Sequence, residues 1–237
     1  RRVKRKLSKD GCLFTTTTDT EIVLHQLARS NADSIEDRIY DSFNGLNPSY
    51  SIVMLMQGKL IGLRDPCGVR PLALGELENG AVVMASETAA FDAINAKYIG
   101  EVGRGELVVV DKNGLKRTQL FQPDESLPCV FEDIYFSRPD SIIFGSPVAN
   151  SVIRREFGRQ LYRIHPTEAD IVVPVPDSSN DAALGYSDES GIPFEFGLIR
   201  SHYIGRTFIE PTQTLRDAKI VRKFNPNRAV IGGKRIV

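Results

Sequence analysis

The sequence predicts two successive architectures: an α+β layer with antiparallel strands over residues 1–121, then the beginning of a parallel α/β unit. Three observations carry this. Tight-turn dipeptides recur at Gln57-Gly58, Asn79-Gly80 and Asn113-Gly114, each between apolar runs, as β-hairpins require. A polar, proline-bounded stretch, "QPDESLP" (122–128), interrupts the pattern and places a boundary near residue 127. Beyond it, helix and strand signals alternate, which is the pattern of a parallel sheet.

Taken in order, "TDTEIVLHQLARS" (18–30) has apolar residues on one helical face. Thr18 or Asp19 serves as N-cap and Glu21 lies in the first turn, so a helix is expected after a Thr-rich strand. "YSIVMLMQGKLIGLRD", "GVRPLALGELENGAVVMASE" and "GELVVVDKNGLKRTQLF" are the three hairpins, with "AAFDAINAKYI" a short helix between the last two. "NSVIRREFGRQLYRI" (150–164) reads as an amphipathic helix leading to a strand at 170–175.

That strand runs into "PDSSND". Pro174 and Pro176 end it, because proline donates nothing to a ladder. A helix follows, closed by Gly191 in the left-handed position, and "IPF" opens the next strand. In such crossovers ligands sit beyond the carboxyl ends of the strands, where Asp177, Ser178 and Ser179 fall. The same residues are favoured helix caps, and residue type leaves capping and ligand binding both open.

Composition narrows the classes. The 237 residues are 41% apolar and 25% charged, an ordinary globular mixture. No run of about 18 apolar residues exists, so no membrane partner is expected. Cys12, Cys67 and Cys129 form no CxxC and no even set, which argues for a reducing compartment. The formal net charge is zero, yet residues 198–237 hold nine bases against Glu210 and Asp217. The opening "RRVKRK" is basic too, leaving the middle acidic. Bases beside a hydroxyl-rich loop suit a polyanion, phosphates above all; a solvated helix face or a nucleic-acid patch fits charge alone equally well. Residue 1 is Arg, the opening lacks a signal-peptide core, and "GKRIV" reads as the first residues of a strand, so the chain reads as an internal fragment.

The motifs "TDTEIVLH", "RDPCGVRPLALG", "ASETAAFDAI", "PCVFEDIYFSRPDS", "VVPVPDS" and "YIGRTFIEPTQ" resemble, in order and over nearly the whole chain, the amidophosphoribosyltransferase family. "GLIRSHYIGRTFIEP" is most similar to its plant or cyanobacterial branch. The resemblance implies the C-terminal part of an N-terminal-nucleophile glutamine amidotransferase domain over 1–127, and the first part of a type I phosphoribosyltransferase domain over 128–237. It implies glutamine hydrolysis, with the ammonia displacing pyrophosphate from 5-phosphoribosyl-1-pyrophosphate to give 5-phosphoribosylamine, the first committed step of purine synthesis. Implied with it are magnesium, a homo-oligomer, a cytoplasmic or plastid location, and no nucleic-acid partner.

Residue by residue, the resemblance gives Asp19 the substrate's α-amino group and Ser178 a share of the magnesium. Arg206 and Lys223 match bases of a mobile loop over the phosphoribosyl substrate, and residues 200–224 are expected to form that lid. Cys129 matches the first cluster ligand of iron–sulfur (4Fe–4S) members; read alone it is a buried thiol. The family's nucleophile, a cysteine at the mature N-terminus, has no counterpart here, so no catalytic residue is assigned and the chain by itself is expected to be inactive. Cys67 stands where "RDPHG" has histidine, and "SSND" replaces a more usual glycine-containing sequence. Two other readings fit parts of the pattern. A non-catalytic module sensing nucleotides or phosphoribosyl pyrophosphate would lack the nucleophile. Asparagine synthetase would need a Ser/Gly-rich loop after residue 127, which "VVPVPDS" is not.

Overall fold

A computed structural model of the chain describes residues 2–46 and 49–237. They form two compact units, each described by itself. The first runs to Ser86 and resumes over Ala96–Pro128; the second comprises Glu87–Asn95 and Cys129–Val237. The linear boundary near residue 127 thus misses one feature: Glu87–Asn95 leaves the first unit and packs with the second.

In the first unit, α1 (Arg2–Lys9), α2 (Thr20–Arg29) and α3 (Ile35–Phe43) precede the sheets. β1 (Ser51–Met56), β2 (Lys59–Arg64), β6 (Glu106–Asp111) and β7 (Gly114–Gln119) form a sheet in the order β1-β2-β6-β7. β3 (Ala73–Glu76), β4 (Val82–Ala85) and β5 (Lys97–Glu101) form another, ordered β4-β3-β5. All pairings are antiparallel. Alternation along β2 and β6 explains the layering. Ile61, Leu63, Leu107 and Val109 pack with Val23, Ile35, Ile39 and Phe43 of the helices. Val108 points the other way, to Leu72, Leu74 and Val102. Burying such a side chain contributes about 1.5–3 kcal/mol, so this double-sided core holds the unit.

The β1–β2 turn is the expected one, with Gln57 and Gly58 both at positive φ (51° and 73°). The third hairpin differs in register: Asp111 pairs with Gly114, so its two-residue loop is Lys112-Asn113 rather than Asn113-Gly114. No strand precedes α2; residues 12–18 are irregular, because the threonine side chains are bound to Glu21 rather than alternating across a sheet. α3 is N-capped by Ser34: its Oγ accepts from Asp37 N–H at 3.0 Å and donates to the Asp37 carboxylate at 2.6 Å.

In the second unit, α4 (Ala89–Asp92), a π-turn at Glu132–Phe136 and α5 (Asn150–Ile164) are followed by α6 (Asn180–Ser190). α5 and α6 meet at glycines. A methyl group on Gly158 would overlap the carbonyl of Ala182, and one on Gly185 that of Arg155. The crossover is parallel as expected, but its strands are short: Val172 bridges Phe194 and Ile171 bridges Ile236, both parallel. Gly191 closes α6 at φ 71°. β8 (Leu198–Arg200) pairs with β9 (Phe224–Pro226) around α7 (Gln213–Lys223), and α8 (Arg228–Ile231) follows.

Candidate functional site

A cavity of about 410 Å³ opens beside the start of α2. Asp19, Thr20, Ile22 and Val23 line one side, and Tyr50, Ser51, Ile52 and Arg70 another. Asp19 occupies the N-cap position, but its backbone is already helical (φ −75°, ψ −28°) and its side chain caps nothing. Among the described residues its carboxylate has no hydrogen bond or ion pair, so an exposed acid is left at the cavity wall. Capping does not explain Asp19.

The turn before Asp19 is tied by Glu21. Its Oε1 accepts from Thr15 N–H (2.8 Å) and Thr15 Oγ1 (3.0 Å). Its Oε2 accepts from Thr16 N–H (3.0 Å) and Thr16 Oγ1 (2.7 Å). These bonds, the Thr15 amide first, pull the Glu21 carboxyl down to about 2. The folded value lies below the unfolded one, so this contribution to stability is complete above about pH 4.5 and is lost as pH falls toward 2.

Of the motif "RDPCGVR", Arg70 lines the opposite wall, and the buried Arg64 and Asp65 hold the loop that carries it. Asp65 is fully buried; its carboxylate accepts from the N–H groups of Tyr50 (3.3 Å), Cys67 (2.9 Å) and Val69 (3.2 Å). Arg64, also buried, donates to the carbonyls of Arg70 (2.8 Å), Gly68 (3.0 Å) and Val102 (3.0 Å). Ser51 Oγ donates to the same Arg70 carbonyl at 3.1 Å. The strand edge and the Arg70 loop are thereby held together. Burial, reinforced by Asp65, pushes the Tyr50 phenol up to about 12, so it stays neutral. Burial likewise raises the Cys67 thiol, with Asp124 and Asp65 adding to the effect. A cavity flanked by a free carboxylate and a guanidinium suits a zwitterion of amino-acid size. Arg70, Arg64, Asp65 and the role of Glu21 were not singled out from sequence; the only signal was their crowding within two short motifs.

In the second unit the hydroxyl-rich knot is a turn ahead of α6. None of its side chains caps that helix: Ser179, at the N-cap position, instead donates to the carbonyl of Val175 (2.5 Å). The capping reading of the knot therefore fails, because the turn points Ser179 back toward the strand. Asp177 is paired with Arg200 of β8. Ser178 is half-buried and its hydroxyl has no hydrogen bond among the described residues. Arg206 lies exposed before α7, and Lys223 ends that helix with its ammonium 5.4 Å from the Phe224 ring centroid. No hydrogen bond or ion pair joins Ser178, Arg206 and Lys223 among the described residues.

Residues 200–224 are not a wholly irregular segment of unpaired bases. α7 is capped by Thr212, Lys219 pairs with Glu210, and Arg216 donates to the Glu210 carbonyl at 2.8 Å. Still, no residue of α7 is buried. Cys129 is half-buried rather than buried, before the π-turn. Among the described residues, no three His, Cys, Asp or Glu side chains converge as a metal site. A magnesium ion that keeps waters and substrate oxygens needs only one or two protein oxygens, and the open Ser178 hydroxyl fits that demand. Among the described residues, no helix is long and apolar enough to cross a membrane.

The layered antiparallel α+β unit with its amino-acid-sized cavity defines a class, and residues 1–93 match the family described as a glutamine amidotransferase domain. Across nearly its whole length the chain is similar in sequence to amidophosphoribosyltransferases. It is 49% identical to chloroplastic amidophosphoribosyltransferase 1 of Arabidopsis thaliana over 99% of this chain and 41% of that protein. To the Bacillus subtilis amidophosphoribosyltransferase it is 40% identical, over 99% of this chain and 49% of the relative. The solved glutamine phosphoribosylpyrophosphate amidotransferase from B. subtilis, complexed with ADP and GMP, superposes with a TM-score of 0.88 at 39% identity. That match covers 99% of this chain and 51% of the other. The chain thus spans about half the length of the proteins it matches, or less.

Proposed function

We propose that this chain serves an amidophosphoribosyltransferase, its first unit binding L-glutamine and its second forming the opening part of a type I phosphoribosyltransferase domain. In this reading Asp19 takes the glutamine ammonium. The second unit receives 5-phosphoribosyl-1-pyrophosphate, with Ser178 near its magnesium and Arg206 and Lys223 near its phosphates. The magnesium, when bound, would offset the charge of the departing pyrophosphate. The protein would make 5-phosphoribosylamine as a homo-oligomer, and the chloroplastic plant relatives support a plastid location.

The observation that carries the reading is the unpaired Asp19 carboxylate at the cavity wall. A charge-assisted hydrogen bond there is worth about 1.5–3 kcal/mol, roughly tenfold or more in affinity. L-glutamine should therefore bind the wild-type chain at least about tenfold more tightly than Asp19→Asn, measured by calorimetry. Equal affinities would overturn the assignment.

A further inference from the structure

We propose that Glu21 is the positioning residue of the amino-acid cavity, fixing the turn that delivers Asp19 without touching the ligand itself. The inference rests on the reading of the cavity as a glutamine site.

The argument begins with what holds residues 13–18. Among the described residues outside helices and strands, this stretch makes no main-chain to main-chain hydrogen bond. Its ties are side chains. Lys4 Nζ donates to the Thr16 carbonyl (3.0 Å), and Thr16 Oγ1 lies 2.7 Å from Thr18 Oγ1. Thr18 N–H donates to Thr16 Oγ1 (3.3 Å), the Phe14 ring meets His25 and Lys4, and Glu21 grips both Thr15 and Thr16 by amide and hydroxyl. A backbone with no ladder of its own samples many conformations unless something pins it. The group that makes the most of these bonds is one carboxylate, two residues after Asp19 on the first turn of α2.

Thr15 and Thr16 lie on the N-terminal side of Asp19 and Glu21 on the C-terminal side, so the four bonds close a small loop around it. Asp19 itself contributes no bond to that loop, which leaves its carboxylate aimed but unspent. Pre-organisation of this kind raises affinity by removing the cost of ordering the group at the moment of binding. Sequence alone offers a different reading of Glu21, as an acid suited to the helix dipole. The dipole reading predicts an effect on the helix; the positioning reading predicts an effect on the ligand.

Glu21→Gln separates them. Glutamine keeps the shape and one acceptor oxygen, but its amide NH₂ cannot accept from Thr16 N–H or Oγ1. L-glutamine affinity is measured by NMR titration for the wild-type chain, Glu21→Gln, Asp19→Asn and the double variant, alongside melting temperatures. We expect Glu21→Gln to weaken binding by about fivefold to twentyfold, with a lowered melting temperature as bonds to Thr16 are lost but with the chain still folded at the temperature of the titration. In the Asp19→Asn background the same change should have almost no further effect, since nothing remains to be positioned. Unchanged affinity in Glu21→Gln, or equal losses in both backgrounds, would overturn the inference and leave the glutamine reading intact. Absence of L-glutamine binding by the wild-type chain would overturn that reading, and this inference with it.

Discussion

Cys67, in the buried loop that leads to Arg70, shows how much a single position can be constrained. Its amide donates to Asp65, its carbonyl accepts from Leu127 N–H at 3.0 Å, and its side chain is 6% exposed. Burial raises its thiol, and the neighbouring acids raise it further, so little thiolate forms near neutral pH. Cys12 and Cys129 are half-exposed. A thiol-reactive probe at pH 8 should therefore label Cys12 and Cys129 readily and reach Cys67 only on unfolding. Three similar labelling rates by mass spectrometry would contradict this burial. At this scale the sequence was informative where chemistry is local. Asp19 was singled out through the resemblance to the amidophosphoribosyltransferase family, and the chemistry agrees, since a carboxylate suits an ammonium. Its lack of any cap bond could not be foreseen, since capping depends on a backbone angle that residue type does not set.

Elements were legible by their ends more than by their faces. α5 begins and stops where its composition says, at Asn150 and Ile164. Its amphipathic pattern suggests an apolar face turned inward, yet its buried residues are Asn150, Arg154 and Gly158. Leu161 and Ile164 remain 53% and 67% exposed. The reason is the close approach to α6. Gly158 and Gly185 let two backbones touch, and this fixes the helix rotation. Asn150 and Arg154 are then carried to the carbonyls of the π-turn. Asn150 Nδ2 donates to Asp133 O (3.1 Å) and Ser137 Oγ (2.6 Å), and Arg154 donates to the carbonyls of Asp133 (2.5 Å) and Ser137 (2.8 Å). Periodicity does not see such pairs. Gly185→Ala should therefore push the helices apart and destabilise the second unit by about 1–3 kcal/mol. Chemical denaturation followed by helix content checks this; a variant as stable as wild type would mean the contact relaxes freely.

At the scale of the whole chain, the departure from a simple two-part reading is Glu87–Asn95. The sequence shows the change in composition at 122–128 but gives no sign that an earlier segment leaves its neighbours, because the bonds responsible join residues some fifty positions apart. Glu87 Oε2 accepts from Arg138 N–H (2.7 Å), Thr88 Oγ1 from Ile142 N–H (2.8 Å), and Ser141 Oγ from Ala89 N–H (3.2 Å). Thr88 stands at the N-cap of α4, yet its hydroxyl makes no cap bond there. It is spent instead on Ile142. Thr88 and Ser141 are buried, so removing an acceptor strands a donor without water to replace it. Thr88→Val preserves shape and removes only that oxygen, and leaving the Ile142 amide unpaired should cost about 1–3 kcal/mol. The loss should appear where the bonds are. Hydrogen exchange followed by mass spectrometry should quicken over residues 137–150 and stay as in wild type across β4 and β5, the strands that flank Glu87–Asn95 in sequence. Faster exchange in β4 and β5 with residues 137–150 unaltered would assign Glu87–Asn95 to the first unit instead.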